Sequence, residues 1–191
     1  MPTALGFRTH SGWTVMCAVT NGAPPSVELR RRLELCPPTL PRQAYHAIVQ
    51  EGLDIKAGER LIRKVAEASV KSARAAMSAT SDLVAVAIVA EPRDLPDLER
   101  ILKSHALLHS AEGDMYREVI VDAAEREGIP AFHFSATELR AEPQDALMKA
   151  FGASVGTPWQ QEHKDAARAA LRALASVPVA ARAPRSRAEA R

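Results

Sequence analysis

The sequence has few aromatic side chains, little cysteine and almost no net charge. Aromatics make up only 4% of its 191 residues, while alanine is abundant, which predicts an aliphatic, helix-rich core. Its two cysteines, Cys17 and Cys36, lie in apolar runs and fit neither a metal-ligand spacing nor a disulfide framework. They are expected to be buried free thiols. The formal net charge of +2 is too small to argue for nucleic acid by bulk electrostatics. No apolar run reaches the roughly 18 residues of a membrane span. The opening Met-Pro-Thr-Ala-Leu-Gly lacks the basic region and apolar core of a signal peptide, so a cytoplasmic location is expected. Phosphate-cradling glycine loops, Ser-His-Asp spacing and reactive-cysteine settings are also missing.

What is present is one domain's worth of chain, 47% hydrophobic, with room for a real core. The domain is expected over 1–176. Residues 177–191, where Arg182, Arg185, Arg187 and Arg191 alternate with Ala, Pro and Ser, read as a disordered basic tail. Three strands are predicted first, at 4–9, 13–19 and 27–35. Turn chemistry at His10-Ser-Gly12 and Asn21-Gly22 separates them, and together they make an antiparallel meander. The third alternates apolar and charged residues, which suits a sheet edge. A short helix at 42–51 carries Tyr45 and His46, and a longer one follows at 55–79. Leu83-Val-Ala-Val-Ala-Ile-Val89 is a continuous apolar run, as expected of a central strand covered on both faces. A helical region from Pro96 to Glu127, broken near Ser104, leads to a fifth strand at 131–135. A short helix at about 142–150 comes next. Thr157-Pro-Trp-Gln160 has the form of a capping box with Pro at the first helical position, opening a last helix to about Ala175.

This order of elements resembles the ribonuclease H-like superfamily, and within it the RuvC-like branch of Holliday-junction resolvases. The resemblance spans about residues 4–175. Leu5-Gly-Phe-Arg-Thr-His-Ser-Gly-Trp-Thr-Val looks like the superfamily's opening strand, glycine turn and second strand. Glu91 closes a strand that looks like the one delivering the second acid. Glu162-His-Lys-Asp165-Ala resembles the acid-x-x-acid-Ala of the last helix. Gly6–Trp13, Ser104–Gly113 and Pro158–Lys164 also resemble a group of bacterial proteins that brings no established activity. The RuvC-like resemblance implies an α/β fold with a five-stranded mixed sheet, three antiparallel meander strands plus two parallel ones, flanked by helices. It also implies a nucleic-acid partner and divalent-metal phosphodiester hydrolysis, with Mg or Mn as cofactor. One departure stands out. Where the first strand of such enzymes supplies an Asp, this chain has Arg8-Thr9-His10. Histidine brings no charge to offset Mg²⁺, which prefers oxygen ligands.

Two constellations are candidate sites. The first is His10, Glu91, Glu162 and Asp165, with His10 in place of the missing Asp; ordinary loop and helix-start acids are the alternative. The second is His105, His109 and Glu112. These fall within about 60° of each other on a helix, on the stripe that carries Ile101, Leu102 and Tyr116. They could ligate a transition metal such as Zn, or be core histidines satisfied by Glu112. Glu112 also counts as a catalytic candidate should the two groups form one site. A basic stripe of Lys56, Arg60, Arg63, Lys64, Lys71 and Arg74, with Arg30-Arg31-Arg32, is either a phosphate-binding surface or a solvated face. Three readings follow: a nucleic-acid-associated domain with a degenerate acidic site, a non-catalytic assembly domain of the same fold, or a transition-metal site with other chemistry. A homodimer is a second candidate partnership, and no membrane is expected.

Overall fold

The computed structural model describes residues 1–91 and 93–178. Its elements are β1 (Thr3–His10), β2 (Trp13–Thr20), β3 (Ser26–Glu34), α1 (Ala44–Glu51), α2 (Ile55–Ser78), β4 (Leu83–Val89), α3 (Leu98–Leu102), α4 (His105–Arg126), β5 (Ala131–Phe134), α5 (Ala136–Ala141), α6 (Asp145–Val155) and α7 (Gln161–Ser176). The sheet runs β3-β2-β1-β4-β5. The first three strands pair antiparallel, and β4 and β5 add parallel to β1. This is the mixed five-stranded sheet expected, with the charged strand at its edge.

Side-chain alternation along β1 and β4 sorts the core into two layers. Leu5, Phe7, Val86 and Ile88 face α2 and α4. Ala4, Ala85, Ala87 and Val89 face α7. The second layer is thin because α7 presents Ala166, Ala167, Ala170 and Ala173 to it. Where α7 crosses β1, a Cβ on Gly6 would lie 1.8 Å from the Ala166 carbonyl oxygen. Only glycine fits at that crossing.

Three boundaries differ from the sequence reading. After β5 there are two helices, α5, which was not expected, and α6, which corresponds to the helix expected at about 142–150. The first starts directly after β5, because Ser135 and Glu138 form a capping box. The last helix opens after Pro158, with Gln160 as its N-cap. Trp159 is held back by α6, its Nε1 donating to the Met148 carbonyl at 2.8 Å. His163 Nδ1 then accepts the Gln160 N–H at 3.1 Å and completes the box. Of the tail expected from 177, Val177 is buried in the α7 layer, and 179–191 lie outside the described residues. Both cysteines are free and buried, as anticipated, and burial pushes the Cys17 thiol up to about 12. Among the described residues, no helix is long and apolar enough to cross a membrane.

Candidate functional site

The parallel register brings the ends of β1, β4 and β5 to one rim, with Phe7 beside Ile88 and Val89 beside Phe134. The start of α7 reaches the same rim, where Glu162 Oε1 lies 2.9 Å from His10 Nε2. His10 stacks on Trp13, 4.0 Å between ring centres and 7° from parallel. From β3, the Arg32 guanidinium sits 3.8 Å from the Trp13 ring centre. Burial holds the His10 pKa below its ordinary value; nearby Glu162 opposes this, while Arg8 and Arg32 reinforce it.

The other acids divide sharply. Glu91 is exposed beyond β4 and makes no hydrogen bond or ion pair among the described residues. Asp165 is 1% exposed and fully engaged. It accepts from Arg140 Nε at 3.1 Å, Arg140 Nη2 at 2.6 Å and Gln161 Nε2 at 2.7 Å. Arg140 comes from α5, which the sequence reading passed over. The Ser135-x-x-Glu138 capping signature was the available signal for that helix. At the end of β1, Arg8 Nη1 donates to the Val89 carbonyl at 3.2 Å and bridges β1 to β4.

The divalent ions that the fold resemblance implies do not fit this rim. A pair of ions about 4 Å apart needs several available carboxylates. Here a guanidinium stands on β1, Asp165 is taken by Arg140, and Glu162 faces His10.

The second constellation is also rearranged. Glu112 is completely buried, whereas His105 and His109, expected to face the core, are exposed. The buried stripe of α4 runs Leu108, Ala111, Glu112, Met115, Tyr116 and Val119, so the two histidines flank it. Glu112 reaches α1 instead. Its Oε1 accepts the N–H groups of Tyr45 at 2.9 Å and His46 at 3.2 Å, and lies 3.3 Å from His46 Nδ1. Gln43, the N-cap of α1, makes no side-chain cap bond, so a carboxylate from another helix takes that role. Burial raises the Glu112 pKa against the lowering effect of these hydrogen bonds. His46 then meets His105 and His109, with ring centres 5.5 and 4.6 Å away.

The two constellations approach the sheet from opposite faces. The alternation of β1 places Arg8 and His10 on the α7 side of the sheet with Gly6, and α1 and α4 pack on the other. The basic stripe is divided in the same way. Arg30 donates to the Pro158 carbonyl and Arg32 lies on Trp13, while Arg74 on α2 pairs with Glu127.

No protein-family model and no curated protein matches the chain. Solved structures do. A T. thermophilus RuvC in complex with a Holliday junction substrate superposes with a TM-score of 0.56, covering 90% of this chain and 91% of that one at 11% identity. The fold is that of RuvC. A second Thermus thermophilus RuvC structure gives a TM-score of 0.51 at 12% identity, over 88% and 91% of the two chains. The RuvC-like architecture therefore extends over nearly the whole chain, although the rim carries different chemistry from that expected of a metal-dependent nuclease.

Proposed function

We propose that this chain is a nucleic-acid-associated domain of RuvC-like fold whose rim holds phosphates without hydrolysing them. The observation that carries this reading is the engagement of Asp165 by Arg140 and of Arg8 by the Val89 oxygen, with Glu162 facing His10. Carboxylates so engaged cannot assemble two ions around a scissile phosphodiester. Guanidinium groups suit phosphate oxygens, which they bind bidentately. Arg140 is half-exposed and uses only Nε and Nη2 on Asp165. Arg32 is exposed over the Trp13 ring, on the same side of the sheet as His10. The solved RuvC bound to a Holliday junction supports nucleic acid as the class of partner.

The test is binding and cleavage measured side by side on branched, duplex and hybrid substrates, with Mg²⁺ or Mn²⁺ present. The expected result is salt-dependent binding, weakened in Arg32→Ala and Arg140→Ala, with no strand cleavage. Metal-dependent turnover lost in Glu162→Gln and Asp165→Asn would overturn the non-hydrolytic reading. Absence of binding at low salt would remove nucleic acid as partner and leave an assembly domain.

A further inference from the structure

On the opposite side of the sheet, we infer that His46, His105 and His109 form a transition-metal site of the Zn²⁺ type, with Glu112 as the carboxylate that orients His46. It goes beyond the rim function and does not depend on it. One ligand atom from each histidine already lies within 4.8 Å of the other two. Three imidazole nitrogens around one tetrahedral Zn²⁺ stand about 3.4 Å apart, from Zn–N distances near 2.0–2.1 Å. A closure of roughly 1.4 Å or less is therefore needed. His105 and His109 are exposed, so side-chain rotation alone can supply it.

The third ligand is prepared by burial. His46 Nε2 is buried and has no hydrogen-bond partner, an arrangement that costs free energy unless something occupies it. Its other nitrogen, Nδ1, faces Glu112 Oε1 at 3.3 Å. A proton on Nδ1, donated to that carboxylate, leaves the Nε2 lone pair for a metal. Metal-bound histidines are held in this way by a carboxylate behind them. Glu112 also brings negative charge to a place where the N-termini of α1 and α4 would otherwise disfavour a cation. The donor set is all nitrogen, which selects Zn²⁺, Co²⁺ or Ni²⁺ over Mg²⁺ or Ca²⁺. Three protein ligands with two of them at the surface leave a fourth position for solvent or a ligand oxygen.

The experiment is titration of chelator-stripped full-length protein with Zn²⁺ against a chromophoric competitor, and with Co²⁺ followed by its visible d–d absorption. The expected result is one equivalent bound, with a four-coordinate Co²⁺ spectrum. His105→Ala and His109→Ala should abolish it while leaving the circular dichroism of the metal-free protein unchanged, because both side chains are exposed. Glu112→Gln should weaken binding about 10- to 100-fold. No binding against the competitor overturns the proposal. Equal binding by the His105→Ala/His109→Ala double variant also overturns it, since the metal would then sit elsewhere.

Discussion

Replacing Gly6 with alanine tests how the rim is held together. The added Cβ would sit 1.8 Å from the Ala166 carbonyl oxygen and 3.1 Å from the Ala170 nitrogen. An ordinary C···O approach is about 3.3 Å, so α7 must retreat by roughly 1.5 Å. The obstacle is helix backbone, which no rotamer change relieves. Overpacking of this kind costs about 1–3 kcal/mol, and a backbone clash belongs at the upper end. The reduced freedom of the unfolded chain returns at most about 1 kcal/mol. A net loss of about 2 kcal/mol follows, or roughly 4–8 °C in melting temperature at this chain length. Gly113 is the control. A Cβ there meets only Arg117 Nη1 at 3.6 Å, and Gly113 lies inside α4. Gly113→Ala should therefore stabilise, by up to about 1 kcal/mol. Urea denaturation of both variants measures the difference. An unchanged or raised midpoint for Gly6→Ala would refute the close crossing of α7 over β1.

Two further outcomes are expected. Burial and the nearby Arg30 hold the His163 pKa below its ordinary value, and its Nδ1 must stay unprotonated to accept the Gln160 N–H. The unfolded chain therefore takes up this proton first as pH falls through about 6.5. Stability should drop across that window and level off below the folded value. His163→Gln keeps an acceptor at the same capping position, so its urea midpoint should fall less between pH 8 and pH 5; parallel curves would exclude His163 as a source of acid sensitivity. Glu112→Ala should cost about 2 kcal/mol in metal-free protein, since two N–H groups of α1 lose their acceptor. Glu112→Gln retains an acceptor and should cost distinctly less, as read by thermal melts in chelator.

The strands were legible because their signals are local. Leu83–Val89 is apolar throughout and lies inside the sheet between β1 and β5, and the alternating 27–35 stretch lies at its edge. Of the two helices after β5, α5 was missed because a six-residue helix carries too little periodicity, although its capping box was written in Ser135 and Glu138. Helical phase correctly grouped Glu112 with the buried residues of α4. It could not show that cover stops short of His105 and His109, since that depends on where α1 and α3 end. Nor could it pair His46 with Glu112, 66 positions away, or Arg140 with Asp165. Those contacts are made by packing between elements, which leaves no trace in spacing.

The borrowed cap on α1 has a consequence for motion. A helix of eight residues does not persist alone in water, and this one has no N-terminal side-chain cap of its own. Its first donors are satisfied only while α4 is docked. The two helices therefore open and close as one cooperative unit. Amide exchange at Tyr45 and His46 tracks the release of α4 instead of the fraying of a surface helix, and whatever ligand fastens the two together slows both.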